Sequence, residues 1–461
     1  MAEDEIRPTP DEGPLTRREL LRRTGVGVAA IGLAGSGASK AFAFAGPHKF
    51  THRELSGNLS ILQWVHFVPA YDVWFDDYAK KWGQRNNVQV TIDHIDLTQI
   101  PARAAAEVAA RNGHDLVQHL SPPAAFEDQV INHANLIKDI TKKVGKMNEL
   151  AHKSSYNPKT KKYFGVSDMY VPDPVIWRRD LWNGVGEAPL TWDHVRKAAP
   201  KLKAAGHPIG IGMSNELDSN MALIAFMMCF GAFIQNEHGQ VTLRSKNTVQ
   251  AVKFMADIYR RGETDEIFGW VPASNNNFLY SGRGSMILNA ISATRTPEDR
   301  HLPFADDLWI YPIPRGPVRR MGFEHVMGVY TIWKFAKNKT NAQKFLYDLI
   351  TTYQNAFTNS KFYNFPSFPK TVKNIQHQLA QDKHKPLGKY TVLGTIARKY
   401  TYNVGWPGYS NAAIDEMFNT FLIPQMFAQV AQKKMSADDS VRATDRELRK
   451  IFAKWRKRGK V

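Results

Sequence analysis

Leu59-Ser60-Ile61-Leu62-Gln63-Trp64-Val65 reads as a buried strand, and the segments immediately after it decide the fold. Tyr71, Trp74, Phe75, Tyr78 and Trp82 recur at helical spacing, so they mark one apolar face of a helix that ends near Gly83. Val88, Val90 and Ile92 alternate with polar residues, which predicts a second strand. Residues 101–112 are rich in alanine and end at Gly113, a helix with its stop signal. Asp115–Leu120 is a third short strand. Strand, helix, strand, helix, strand in this order predicts an α/β lobe around a largely parallel sheet. In such sheets ligands sit beyond the carboxyl ends of the strands. That rule puts Trp64–His66 and Gln118–Ser121 at one rim.

Further along, Thr191 is placed to cap a helix that runs to Gly206, with Pro200 inside it. Val252, Met255 and Tyr259 share a face of a helix ending at Gly262. Phe345, Leu349 and Thr352 do the same on a helix over 341–357. Ser436 opens a last helix with Val441, Leu448, Phe452 and Trp455 inward, and Asp439 stands where a capping box has Glu. No internal repeat and no low-complexity linker interrupts the chain.

Upstream of all this, Thr16-Arg17-Arg18-Glu19-Leu20-Leu21-Arg22 precedes an uncharged run, 24–39, rich in Gly, Ala and Val. The run ends in Lys40 and two small-x-small sites, Ala41-Phe42-Ala43 and Ala43-Phe44-Ala45. Basic region, short apolar region and small-residue cleavage site are the layout of a secretory signal peptide over 1–45. The paired arginines resemble the signal read by the Tat pathway, which implies export of a folded protein to the periplasm. Sixteen uncharged residues fall short of the ~20 that span a bilayer. The mature chain then begins near Gly46, and residues 46–57 read as a leader without structure.

The 461 residues exceed one ordinary core, so two lobes are expected. The single cysteine, Cys229, lies in the apolar stretch 221–233 and reads as a core residue, as do Met221, Met227 and Met228. One cysteine builds no disulfide framework, zinc cluster or iron–sulfur site, so an exported redox enzyme is disfavoured and no cofactor is expected. Net charge is +18, and segment 1–45 is balanced, so the excess belongs to the rest of the chain. Its basic residues are scattered rather than interleaved with aromatics, and no nucleic-acid motif appears. A solvated basic surface is the reading, with an anionic partner or an acidic medium as the alternatives.

Several segments, in order, resemble the family of extracellular solute-binding proteins that serve ABC importers, in the branch that binds sugars as maltose-binding protein does. Gly113-His114-Asp115-Leu116-Val117-Gln118-His119 is similar to its Gly-x-Pro-Asp strand. Tyr163-Phe164-Gly165-Val166 and Val175-Ile176-Trp177-Arg178-Arg179-Asp180-Leu181 resemble its hinge strands, and Pro189-Leu190-Thr191-Trp192-Asp193 its Pro-x-Thr-Trp turn. Gly231-Ala232-Phe233 and 239–245 resemble the stretch before the helix over 249–261. Residues 278–286 are similar to its Phe-x-x-Gly turn, and Pro312–Pro317 and 342–346 complete the series. The chain departs from the pattern at Trp177-Arg178-Arg179, at Ser167-Asp168 and at Glu324-His325, departures that bear on the ligand rather than the fold.

The resemblance implies a two-lobed periplasmic binding protein fold of type II, each lobe a mostly parallel sheet flanked by helices, with three hinge crossings. One lobe would hold 57–168 and 318–365, the other 169–317 and 366–461. A sugar would sit between them, and closure would present a new surface to the membrane permease. A monomer is expected.

Sugars offer apolar C–H faces and a ring of hydroxyls, so their sites need flat aromatic surfaces and planar polar side chains. The chain has 11 Trp, 16 Tyr and 25 Phe. Trp64 ends the first strand and reads equally as core or platform. Trp270 lies in a loop before Asn275-Asn276-Asn277, a run that reads as solvated loop or as ligand contact. Trp406 and Tyr409 flank Pro407-Gly408 in a turn leading to a helix, where no simple buried helix face can form. By position in the family, Gln118, His119, Tyr170, Asn289, Glu324 and His325 also face the cleft; for His119 a structural, hydrogen-bonded histidine is the alternative.

No catalytic arrangement is apparent: Glu324 and His325 are adjacent, no activated nucleophile stands out, and no metal loop occurs. Arg178 and Arg179 point to opposite faces of a strand, so at most one enters a cleft. The alternatives are a receptor for an anionic solute such as glycerol phosphate or a uronate, a periplasmic glycan-processing enzyme, and a receptor feeding a sensor kinase.

Overall fold

The computed structural model describes residues 55–461. Residues 1–45, expected to be a signal peptide, and most of residues 46–57, expected to be a leader, lie outside the described residues. The first strand, β1 (Asn58–Trp64), is the hub of the larger sheet: Leu59, Ile61, Leu62 and Trp64 are all buried. Helix α1 (Pro69–Asn86) starts on a proline, whose missing N–H costs nothing in a first turn. Its buried face holds Tyr71, Phe75 and Trp82 of the sequence-predicted stripe, with Ala79 between them. Strand β2 (Gln89–Ile95) alternates exposed and half-buried residues, as an edge strand with one packed face does. Helix α2 (Ile100–Ala110) and strand β3 (Leu116–His119) complete the unit. Both β2 and β3 pair parallel with β1, Ile61 standing opposite Ile92 and Leu116.

After α3 (Glu149–Ser155) come β4 (Val166–Pro172) and β5 (Val175–Arg178), and the chain changes sheets between them. Pro172 and Pro174 have no N–H to give, so one ladder ends and another starts around Asp173. The smaller sheet is built from β5, β6 (Ile209–Gly210), β7 (Met286–Leu288) and β8 (Leu308–Tyr311), in the order β8-β5-β7-β6. Its helices are α4 (Trp192–Ala204), α5 (Leu217–Cys229), α6 (Lys246–Gly262), α7 (Ser274–Tyr280) and α8 (Ser292–Asp299). Thr191 accepts a hydrogen bond from His194 N, the expected cap. Met221, Met227, Met228 and Cys229 are buried on α5, as read from the sequence.

Strand β9 (Gly322–Ile332) carries the chain back, all eleven residues buried. It is followed by α9 (Lys339–Thr351), α10 (Gln354–Asn359), the short β10 (Phe365–Pro366) and β11 (Thr401–Tyr402). The larger sheet runs β10-β4-β9-β3-β1-β2, with β11 paired to β9. Helices α11 (Ala412–Asn419), α12 (Leu422–Ala431) and α13 (Ala437–Lys457) then pack beside α5 and α6, and Ser436 caps α13 as expected.

Three expectations need correction. The parallel arrangement holds for β1, β2 and β3, but β9 runs antiparallel to both β3 and β4, and β5 antiparallel to β7 and β8. The hinge strands pass directly from sheet to sheet with no crossover helix, and parallel neighbours require one. The single helix expected over 341–357 is two, α9 ending at Thr351 and α10 starting at Gln354, and at the break the Thr352 hydroxyl back-bonds to Asp348 O (2.7 Å); Thr352 is exposed, not inward. Asn275-Asn276-Asn277 is helix, with Asn275 and Asn276 buried, rather than solvated loop.

Candidate functional site

The turn at Asp173, the middle of β9, the start of α5 and the segment before β10 converge where the two sheets meet. His325 on β9 stands between two carboxylates: Nδ1 is 3.3 Å from Asp173 Oδ1, and Nε2 is 3.3 Å from Asp218 Oδ1. Asp218 is there because Glu216 caps α5, its carboxylate accepting from Asp218 N (2.6 Å) and Ser219 N. A carboxylate in the first turn also suits the positive end of the helix. Behind them a chain of amides is fixed by α7: Asn289 Nδ2 donates to Asn276 Oδ1 (2.7 Å), and Asn276 Nδ2 to Tyr280 Oη (3.1 Å). Tyr363 faces this cluster from the larger-sheet side, fully buried, its hydroxyl without a partner.

Burial alone would lower the His325 imidazole. Asp218 and Asp173, with Glu216 behind them, reverse that and hold it above its ordinary value. Asp218 is itself pushed up by burial, and Glu216 rises to about 8, by burial and then by the charge of Asp218.

On the larger-sheet side a second polar group surrounds Asp168. Tyr353 Oη donates to Asp168 Oδ2 (3.2 Å), and Tyr330 Oη to Gln63 Oε1 (3.1 Å). Asp168 Oδ1, Gln63 Nε2, Gln118 Oε1 and the Tyr71 hydroxyl are buried without partners. Nearby, His66 Nε2 meets Asn364 Oδ1 at 3.1 Å, and burial pushes that imidazole down to about 4. Burial also raises Asp168 to about 7. A carboxyl raised in the folded state stabilises the fold fully below its unfolded pKa, near 3.8, and loses that contribution as pH rises through about 7. Asp168→Asn is therefore expected to melt higher than the parent at pH 8, with the advantage gone at pH 4. Each pH step of one between the unfolded and folded values is worth about 1.4 kcal/mol. Thermal denaturation across pH 4–8 checks it; a parallel offset at every pH contradicts it.

A cavity of about 540 Å³ lies beside β10 and β11, walled by Tyr170, Phe365, Tyr402 and Trp406, with Asn148, Asn374, Gln376 and Asn403 supplying amides. The Lys153 ammonium sits 4.2 Å from the Trp406 ring centroid. Tyr409 Oη is 3.5 Å from His152 Nε2, while Tyr163 Oη takes Nδ1 of the same ring at 3.0 Å.

The ten sequence-predicted site residues therefore divide. His325 and Asn289 stand at the seam cluster and behind it. Tyr170 and Trp406 share the cavity, and Tyr409 lies in the same turn without lining it. Glu324 Oε1 accepts from Val404 N (2.7 Å), tying β9 to that turn, while its Oε2 is unpartnered. Gln118 belongs to the Asp168 group. Trp64 is buried beside His66, ring centroids 4.6 Å apart. His119 is packed between Phe126 and Trp333, bonded to Thr331 Oγ1 at 3.0 Å and pushed down to about 3 by burial. Trp270 is buried against Phe278, with centroids 5.4 Å apart. Arg178 is held by Asp180 and Phe304, Arg179 by Trp309. Sequence reasoning missed Asp173, Asp218 and Tyr363. An acid between two prolines, and Glu216-Leu217-Asp218 opening an apolar helix, were the available signals.

The pattern described as bacterial extracellular solute-binding protein matches residues 69–352 of the chain. A binding protein of Brucella abortus (strain 2308) is 24% identical over 179 residues, 37% of this chain and 43% of that one. The chain thus spans under half the length of the curated relatives it matches. Among solved structures, maltose-bound MalE3 of T. maritima is similar with TM-score 0.70 and 17% identity, over 85% of this chain and 99% of that one. A sugar transporter from Arthrobacter chlorophenolicus A6 with bound laminaribiose gives 0.71 and 14%, over 85% and 99%. The GacH receptor of Streptomyces glaucescens GLA.O, solved unliganded and with acarbose, gives 0.71 and 16%, over 87% and 99%. At these identities the likeness establishes a two-lobed α/β fold with sheets flanked by helices.

Proposed function

We propose, from the premise that this chain belongs to the bacterial extracellular solute-binding protein family, that it is the periplasmic receptor of an ABC importer and captures a carbohydrate between two lobes. The lobes are 57–168 with 318–365, and 169–317 with 366–461. Export through Tat and delivery to a membrane permease complete the reading, and the protein acts as a monomer without cofactor or catalysis. Among the described residues no helix is long and apolar enough to cross a membrane.

The observation that carries the proposal is the presence of buried, unpartnered polar atoms on both sides of the seam: Tyr363 Oη and Asn364 Nδ2 beside the larger sheet, and Ser292 Oγ on α8 beside the smaller. Buried polar groups without partners are costly. Groups that converge from two hinged bodies gain them when a solute bearing several hydroxyls is held there. Contact with both lobes exists only in the closed form, so ligand binding shifts the population toward closure. The cavity walled by Tyr170 and Trp406 supplies an aromatic and amide surface near the same hinge, and Gln118, Asn289, Glu324, His325 and Tyr409 remain the surrounding candidates.

Several contacts of about 1 kcal/mol each give affinity in the micromolar range, near about −8 kcal/mol. Isothermal calorimetry of the mature protein against a panel of mono- and oligosaccharides is expected to give a saturable heat. The proposal fails if no sugar binds and only anions such as glycerol phosphate do.

A further inference from the structure

We propose that the cluster around His325 recognises a cation, and that the captured carbohydrate carries a protonated amine, as an amino sugar does. The inference rests on the carbohydrate reading and narrows it.

The charges at this cluster do not balance. Asp173 and Asp218 face a single imidazole, and among the described residues His325 is the only ion-pair partner of either. Two carboxylates against one imidazolium leave a buried negative charge uncompensated, which is expensive in a medium of low polarity. Glu216, behind them, is pushed up to about 8 and adds little charge at neutral pH. The buried cations on nearby elements are already matched: Arg295 pairs with Glu298 and Asp382, and Lys389 with Glu298.

A second observation comes from a neighbouring side chain. The Tyr363 hydroxyl is buried and unpartnered. After burial itself, the charges of Asp218 and Asp173 are what raise its pKa, so the phenol lies within their field. A phenol beside two carboxylates but bonded to neither leaves room in the bonding pattern for a third group. An ammonium has three donors, enough for Asp173 Oδ1, Asp218 and Tyr363 Oη, and charge-assisted bonds of this kind are about twice as strong as neutral ones. A neutral hydroxyl would satisfy the geometry and leave the charge. A carboxylate or phosphate would meet charge of its own sign.

The test is calorimetry of the mature protein at pH 7 with D-glucosamine and its β-linked disaccharide, against the N-acetylated and parent sugars of the same size. The amines are expected to bind at least about tenfold more tightly than either counterpart. Asp218→Asn is expected to reduce that preference to within about twofold while neutral sugars keep their affinity. Should Asp218→Asn fail to fold, Asp173→Asn is read instead, with a several-fold loss confined to the amines. Equal affinity for amine and acetylated sugar, or a preference that survives both substitutions, overturns the inference and leaves the carbohydrate reading standing. Absence of binding by every sugar overturns the reading as well.

Discussion

Replacing Arg295 by methionine is expected to lower the unfolding free energy by about 3–5 kcal/mol, the cost of removing one partner from a buried ionic network. The guanidinium on α8 is enclosed on every side. It donates to Glu298 Oε2 (3.0 Å), to Asp382 Oδ2 (2.8 Å) and twice to the Lys361 carbonyl (3.2 and 3.1 Å), and it stacks on Tyr390 at 3.7 Å. Burial works to raise the Asp382 carboxyl, and Arg295 outweighs it, holding the group below its usual range. Methionine fills much of the volume but takes the donor from Asp382 Oδ2 and both donors from the Lys361 carbonyl, leaving Asp382 with His384 alone. Lys361 and Phe362 both sit at positive φ, 51° and 70°, a conformation that costs about 1–3 kcal/mol per non-glycine residue and persists only when its surroundings hold it. The Arg295 bonds are part of that hold. Arg295→Lys keeps the charge and loses the fork, so an intermediate value is expected. Urea denaturation followed by tryptophan fluorescence measures both; a change under about 1 kcal/mol would mean that water replaces the network at no cost.

The second large effect is expected at His325. His325→Ala leaves Asp173 and Asp218 facing each other in the seam with no positive charge between them, which costs about 3–5 kcal/mol. The imidazole carries a pKa above its ordinary 6.5. Its contribution is therefore fully present below about pH 6.5 and is lost as pH rises through the higher folded value. Asp218 and Glu216, both raised, titrate in parent and variant alike, so the difference between the two reports the imidazole. The difference between parent and variant is thus expected to be large at pH 6 and to shrink by pH 9. Parallel urea titrations at the two pH values check the sign. A growing difference toward pH 9 would show that the imidazole is neutral in the fold. Because Asp173 sits between the hinge strands and Asp218 on the first turn of α5, small-angle scattering of the variant should also report a larger radius of gyration.

Much of the framework was legible in the chain. The aromatic stripe from Tyr71 to Trp82 has the period of a helix, and it buries Tyr71, Phe75 and Trp82 against the larger sheet as that period requires. Thr191 and Ser436 cap their helices because a side-chain oxygen next to a first turn has few other uses. The site was less legible. His325 was singled out, but its partners lie 107 and 152 positions away in the chain, at Asp218 and Asp173. No periodicity relates residues brought together by a hinge. His119 and Trp270 show the converse: each is of a type suited to a sugar platform, yet each packs against ring neighbours inside its own lobe.

What the sequence determined by itself was the set of elements and their faces, since helical and extended periods, caps and breakers act over a few residues. The tertiary structure alone decided that Asp173, Asp218, His325 and Tyr363 meet, and that their charges do not balance. Electrostatic environment is a sum over neighbours in space, and in a chain that leaves the larger sheet for the smaller and then returns to it those neighbours come from distant parts of the sequence.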